Sequence, residues 1–169
     1  MPLSLDAHAA VDGAAHVFDD KPTDVLRRAV VSLLEAGEAG PAVNALFDVP
    51  VVARRCLGRH WPERTREERA QISHELGLLL AMSLRATLQS ASHIRYVGHS
   101  ASGPLVTVRA ELAAGSRPPA ALELRVHRVQ RRWLVNDFAV DGASFVAEHR
   151  VRFERVFWAA EAAALSSPR

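Results

Sequence analysis

The chain has 169 residues, of which 49% are apolar and 24% are charged, and its formal net charge is +2. This length suits one well-buried domain, and the basic residues form no stripe, which excludes a nucleic-acid-binding protein. Because Cys56 is the only cysteine, an internal disulfide and a thiolate metal site are excluded as well.

No apolar run reaches the roughly 20 residues needed to span a bilayer. Residues 1–6 have neither the basic start nor the apolar run of a secretion signal, so we expect an exported form to have lost its signal. Residues 1–20 are rich in alanine and are predicted to be a poorly ordered lead-in. One domain is predicted over residues 21–165, with a helical part over 21–90 and a sheet with a closing helix over 93–165.

Three short helical patterns come first in the predicted domain. Thr23 or Asp24 is expected to cap the first helix, and a short second helix follows over residues 42–47. Asp48 is a candidate N-cap for the third, and Gly58 can adopt the left-handed conformation that ends it. These elements form a compact helical lead into the next segment.

A long fourth helix is predicted from residue 65 to residue 88. Thr65 and Glu68 have the three-residue spacing of a capping box, which marks its start. Its apolar residues are more numerous than one core-facing stripe requires; they are Ile72, Leu76, Leu78, Leu79, Leu80, Met82, Leu84 and Leu88. We therefore expect this helix to be buried on several sides or to line an apolar cavity.

From His93 onward the apolar period changes from 3.6 to 2. Alternation over residues 106–112 and 122–126 predicts half-buried strands, with further strands over 94–99 and 132–140 and an antiparallel meander of about four strands in all. Ser144 is expected to cap a closing helix. Because strands and helices do not alternate along the chain, the order predicts an α+β fold in which the meander packs against several helices.

No metal site is predicted. His74 and Glu75 open a zinc-protease pattern on the long helix, but the second histidine that this chemistry needs is missing, because position 78 is leucine. The histidines of the sheet region have no tight ligand spacing on one element. We interpret them as surface or singly hydrogen-bonded side chains.

Ser100 and Asp137 are the two candidates for catalysis. The segment around Ser100 is one residue from a nucleophile elbow, and Asp137 and His149 follow in the hydrolase order, but an elbow needs a strand-to-helix turn and this segment leads into another strand. Asp137 could be a desolvated general base, as in cone-shaped isomerases, or it could accept hydrogen bonds from backbone N–H groups or an arginine. We favour the structural interpretation of both and predict no catalytic residue.

Two blocks of this chain resemble the signature of the MlaC family, also called toluene-tolerance auxiliary proteins. The first block has a Phe-Asp pair, a short helix ending in Leu-Gly and a tryptophan; these are Phe47-Asp48, Leu57-Gly58 and Trp61. The second resembles the strand and turn before the family's last helix; it comprises Trp133, Asp137, Gly142 and Ser144, followed by Arg150 and Phe153. Each motif is short, but their order and separations resemble those of the family.

The resemblance implies a soluble periplasmic carrier that binds phospholipid, shuttles it between membranes and hands it to a membrane-bound lipid transport complex. In this role the protein would be an auxiliary component of an ABC transporter that maintains the lipid asymmetry of the outer membrane. It implies an apolar lipid pocket between sheet and helices. Phospholipid is then the ligand of a monomeric chain that has no cofactor and binds no nucleic acid. We expect no enzyme activity; the alternatives are a cone-fold isomerase or hydrolase that uses Asp137 or Ser100, and a non-catalytic interaction module.

The lipid-binding residues expected on this reading are apolar side chains of the long helix and the strands, together with one cation. The apolar residues are Leu76, Leu79, Leu80 and Leu84 from the helix and Val106, Val108, Leu122, Leu124 and Val126 from the strands. Arg150 is the expected phosphate partner, because a guanidinium group can bind phosphate oxygens through two parallel hydrogen bonds.

Overall fold

The structure, a computed structural model, describes residues 4–5, 21–35 and 39–166. Its helices are α1 (Asp24–Val30), continued by a π-helical turn (Val31–Glu35), α2 (Ala39–Leu46), α3 (Val49–Leu57) with a following 3₁₀ turn (Gly58–His60), α4 (Arg66–Gln89) and α5 (Phe145–Ser166). Its strands are β1 (Ser4–Leu5), β2 (His93–Ser102), β3 (Leu105–Ala113), β4 (Ala120–Val129), β5 (Arg132–Val140) and β6 (Ala143–Ser144). The predicted lead-in lies outside the described residues except for β1.

Local hydrogen bonds determine where α3 and α4 begin. The side chain of Asp48 accepts a hydrogen bond from Val51 N at 3.4 Å. Before α4, Glu68 N donates to Thr65 Oγ1 at 3.1 Å and Thr65 N donates to Glu68 Oε2 at 2.7 Å, which completes the capping box. Both predicted N-caps are confirmed, whereas Thr23 makes no side-chain capping bond to α1.

The strands form one sheet in the order β1 to β6. The four long strands β2 to β5 are an antiparallel meander, so the predicted meander and the α+β class are confirmed. The two-residue strands are additions: β1 pairs parallel with β2, and β6 pairs antiparallel with β5. Segments this short carry no periodicity that a sequence pattern could reveal.

Helix α4 buries one side only. Leu80, Leu84 and Leu88 are fully buried, whereas Leu79 is 41% exposed and Met82 is 60% exposed. The prediction that this helix is buried on several sides is therefore wrong, because Leu79 and Met82 lie on the solvent side. Within the described residues, no helix combines the length and the apolar character needed to cross a bilayer.

One continuous apolar core extends through the helices and the sheet. Within it, α4 packs against α2 and α3. A Cβ atom at Gly77 would lie 2.8 Å from Cγ1 of Val43 and 3.2 Å from both γ carbons of Val49. Because protein interiors are close-packed, the absence of a side chain at Gly77 is what lets the three helices approach so closely.

Candidate functional site

The five predicted strand residues lie together on the inner face of the sheet. Strands β3 and β4 pair with Val106 opposite Val126 and with Val108 opposite Leu124, and alternate residues of a strand point to the same face. These four residues and Leu122 are at most 6% exposed. The structure therefore brings them together as an apolar patch on two adjacent strands.

Three of the four predicted helix residues join this core. Leu76, Leu80 and Leu84 are 4% exposed or less, and their spacing of four residues places them on one face of α4. Leu79 lies on the exposed side and does not join them. The eight buried residues that share the core cluster are called here the apolar wall; they are Leu76, Leu80, Leu84, Val106, Val108, Leu122, Leu124 and Val126.

The apolar wall is closed to water. Its eight members are between 0% and 6% exposed, so their surfaces are covered by one another and by the rest of the core. Because close-packed side chains leave few voids larger than a water molecule, an apolar ligand would have to replace existing contacts. Binding between the helices and the sheet thus requires these two layers to move apart.

Arg150 lies elsewhere, where α5 contacts the end of α3. Its Nε and Nη2 atoms are 3.4 Å from the position that a Cβ of Gly58 would occupy, and Nε is 3.5 Å from Glu154 Oε1. The φ angle of Gly58 is 54°, a conformation that glycine adopts without strain. With 56% of its side chain exposed, Arg150 is at the protein surface rather than inside the core.

Asp137 is fully buried on β5 and anchors the start of α5. Its Oδ1 accepts a hydrogen bond from Val146 N at 3.1 Å, and its Oδ2 accepts from Ser144 Oγ at 2.7 Å and from Arg125 Nη1 at 2.9 Å. Ser144 Oγ in turn accepts from Ala147 N at 3.1 Å, which is the predicted helix cap. These contacts agree with the structural interpretation of Asp137, because a backbone N–H group, a serine hydroxyl and an arginine satisfy the carboxylate.

A second chain of hydrogen bonds, which no sequence pattern indicated, joins α3 to β4 and β5. Asp48 Oδ2 is 2.8 Å from His127 Nε2, and His127 Nδ1 is 2.6 Å from Asn136 Nδ2. Because an amide nitrogen only donates, Nδ1 accepts and Nε2–H donates to Asp48. Arg55 Nη1 donates to both the backbone and side-chain oxygens of Asn136 at 2.9 and 3.0 Å. Asp48 was recognisable as a helix cap, but its contact with a histidine 79 positions away was not.

The hydrolase order of Ser100, Asp137 and His149 does not become a catalytic triad. Ser100 lies within β2, and its Oγ accepts a hydrogen bond from Arg109 Nη2 at 3.0 Å, a group that cannot act as a base. Asp137 is on β5, three strands away, which is roughly 14 Å at the usual strand spacing. The Nδ1 atom of His149 is 2.8 Å from the backbone oxygen of Phe145 in its own helix.

Cys56 is chemically inert in the folded protein. Burial raises the pKa of its thiol to about 12, and the nearby charge of Asp137 adds to that rise. A thiol with so high a pKa supplies almost no thiolate for nucleophilic attack or metal binding at neutral pH. Within the part of the chain that the structure describes, no three His, Cys, Asp or Glu side chains are grouped closely enough to hold a metal ion.

The chain matches the family model described as MlaC protein over residues 37–167. Its fold is similar to that of a solved structure, the phospholipid-binding protein from Ralstonia solanacearum in complex with a phospholipid. The TM-score is 0.65 at 19% sequence identity, and the match covers 83% of this chain and 89% of that one. At this identity the likeness concerns the fold. No curated protein matches the chain.

Proposed function

This chain belongs to the MlaC family, and on that premise we propose that it is a carrier that binds phospholipid, moves it between two bacterial membranes and hands it to a membrane-bound transport complex. The carrier works in the periplasm as a monomer and acts by binding and release, without catalysis. The observation that carries the proposal is the apolar wall, which joins one face of α4 and the inner face of the sheet in a single core cluster.

The energetics suit a lipid cargo. Removing roughly 15 methylene groups of one acyl tail from water, at about 0.8 kcal/mol each, stabilises the complex by about 12 kcal/mol. Ordering the tail lowers the net affinity, but escape of the lipid into water remains slow. Release therefore has to take place where the tails meet another apolar environment, such as a membrane or the interior of a partner. The similar fold of a protein solved with phospholipid supports the same cargo.

Arg150 is the proposed partner of the headgroup phosphate. Its side chain is 56% exposed on α5, and a phospholipid whose tails lie between the layers keeps its headgroup in water. Arg150→Ala is expected to weaken the retention of anionic phospholipid, because it removes a bidentate donor. Arg152→Ala, a nearby exposed arginine of the same helix, is the control. Equal retention by both variants would exclude this role for Arg150.

Native mass spectrometry of the purified protein, followed by solvent extraction and lipid identification, tests the carrier directly. We expect about one phospholipid for each chain. Leu80→Trp should reduce the amount of copurified lipid, because a larger side chain leaves less room for a tail when the two layers move apart. Leu79→Trp is its matched control, since the same substitution one position earlier points to solvent. Thermal melting of both variants verifies that they fold.

Two results would contradict the proposal. Bare protein that takes up no lipid from phospholipid vesicles would show that the layers do not open for this cargo. Equal lipid content in folded Leu80→Trp and Leu79→Trp proteins would remove the apolar wall from the binding site. The first result concerns the carrier function, whereas the second concerns only the location of the tails.

A further inference from the structure

A groove with a volume of about 520 Å³ lies between α1 and the tip of the β4–β5 hairpin. Its lining, called here the arginine groove, comprises Asp24, Arg27, Arg28, Val31, Ser32, Arg131 and Arg132. Four arginines and one aspartate give this lining a formal charge of +3, which exceeds the +2 of the whole chain. The lining is therefore a local concentration of positive charge.

Backbone carbonyl groups hold two of the four arginines in position. Arg28 Nη2 donates to Trp133 O at 2.6 Å, and Arg132 Nη2 donates to Ala45 O at 2.9 Å. Arg27 and Arg131 are exposed beside them. The sequence contains these residues as two adjacent pairs far apart in the chain, and only the packing of the hairpin against α1 brings the pairs together.

The cations of the lining are all arginines, which favours phosphate as the ligand. A guanidinium group offers a planar fork of donors that matches two phosphate oxygens, and it stays charged at every physiological pH. The lining includes one carboxylate, Asp24, whose Oδ2 accepts a hydrogen bond from Lys21 N at 3.1 Å. The groove therefore combines four guanidinium groups, two of them held by backbone carbonyls, with room for a phosphate-bearing headgroup.

Helix α1 separates the arginine groove from the apolar core. Its other face, formed by Val25, Leu26, Ala29 and Val30, is at most 7% exposed and belongs to the core cluster. A phosphate in the groove thus lies on the opposite side of α1 from the core that includes the apolar wall. If the tails of the cargo lipid lie at the apolar wall, a phosphate in the groove would belong to a different molecule.

We propose that the arginine groove docks the carrier on a membrane by binding the headgroup phosphates of anionic phospholipids that are still in the bilayer. Val31, which is 43% exposed within the same lining, supplies an apolar side chain at the depth of the headgroups. Docking here orients α1 and the β4–β5 hairpin toward the membrane during lipid loading or release. This inference rests on the carrier function proposed above.

Vesicle flotation at low ionic strength tests the docking surface. The probes are phosphatidylglycerol-containing vesicles and vesicles of phosphatidylcholine alone, and the variant carries Arg27→Gln with Arg131→Gln. Because each arginine near an anionic surface contributes about a fivefold factor in binding, the double variant should bind the anionic vesicles about 25-fold more weakly. The matched control, Arg66→Gln with Arg152→Gln, lowers the net charge equally at exposed positions outside the groove. It should bind nearly as the unchanged protein does.

Lipid content, measured by mass spectrometry on the same samples, separates this inference from the carrier function. We expect the groove variant to retain its cargo while it loses vesicle binding. Equal losses in the groove and control variants, or equal binding to both kinds of vesicle, would overturn the docking assignment. Binding of inorganic phosphate or of an acidic protein by a chain that ignores anionic vesicles would overturn it too. Absence of cargo with normal vesicle binding would instead contradict the carrier function.

Discussion

Asp137→Asn tests whether the buried carboxylate on β5 is structural. The substitution keeps the shape of the side chain and one acceptor oxygen, which can still accept the hydrogen bond from Val146 N. The new amide group replaces Oδ2, the atom that accepts from Ser144 Oγ and Arg125 Nη1. A donor then faces the donors of Ser144 and Arg125 in the core, and the hydrogen bonds from both residues are lost. Arg55 Nη2, which is 3.8 Å from Oδ2, loses its ion pair as well.

The expected loss in the free energy of unfolding is about 2–3 kcal/mol. A hydrogen bond to a charged group contributes about 1.5–3 kcal/mol, and a neutral one about 1 kcal/mol. Because 36% of the Arg125 side chain is exposed, water can solvate its guanidinium group when the partner is lost, so the lower end of the charged range applies. Ser144 can rotate its hydroxyl group, but its oxygen already accepts from Ala147 N. The serine term is therefore only partly recovered.

Urea unfolding followed by circular dichroism measures this loss. In a chain of this size the midpoint of thermal unfolding should fall by about 4–12 °C. The control is Asp141→Asn: this exposed side chain accepts one hydrogen bond from Ala121 N at 2.8 Å, and asparagine tolerates its φ of 48°. We expect the control to change stability by less than about 0.5 kcal/mol. If both variants unfolded at the same urea concentration, the structural role of Asp137 would be refuted.

Three further outcomes follow from packing and protonation. Gly77→Ala should lower the free energy of unfolding by about 1 kcal/mol, because overpacking against neighbouring valines outweighs the helix propensity of alanine. The control is Gly40→Ala, whose Cβ meets nothing within 4 Å and which should be neutral or stabilising. Equal effects of the two substitutions would contradict the packing argument. The thiol of Cys56, with its pKa raised to about 12, should resist a disulfide reagent until urea unfolds the chain, and rapid labelling of folded protein would show that the thiol is accessible. The backbone N–H group of Thr65 donates a hydrogen bond to Glu68 and lowers the pKa of that carboxyl group from 4.5. This hydrogen bond therefore stabilises the fold fully above pH 4.5, and its contribution is lost as the pH falls through the lower pKa of the folded state. The stability difference between the unchanged protein and Glu68→Gln should accordingly shrink in acid, and a difference independent of pH would exclude the contact as its source.

Features set by neighbours in the chain were predictable from the sequence. The capping box joins Thr65 and Glu68, which are three positions apart, so both partners of the interaction can be recognised in a short stretch of sequence. The alternation of strands β3 and β4 likewise reports burial on one face at every second residue. These local signals were sufficient for the order of elements and for the α+β class.

Features that depend on which surfaces meet were not predictable. Leu79 and Leu80 are adjacent residues of the same type, yet Leu79 is 41% exposed and Leu80 is fully buried. Only the packing of α4 against α2 and α3 decides which side of the helix faces inward. The arginine groove and the contact between Asp48 and His127 were missed for the same reason, because each joins residues that are distant in the chain.

The closed apolar wall constrains where a phospholipid carrier can load its cargo. Exposing eight buried leucine and valine side chains to water costs about 1.5–3 kcal/mol each, so full separation of the layers costs about 12–24 kcal/mol, as much as or more than the stability of a typical domain. Two acyl tails, at about 12 kcal/mol each, offset a cost of this size only when they enter as the side chains part. In such a carrier the helices and the sheet stay packed together in water. They separate where acyl tails can replace the lost contacts, which is at a membrane or inside a partner. A surface that holds the chain against anionic headgroups, as proposed for the arginine groove, would place the closed wall at such a site before it opens.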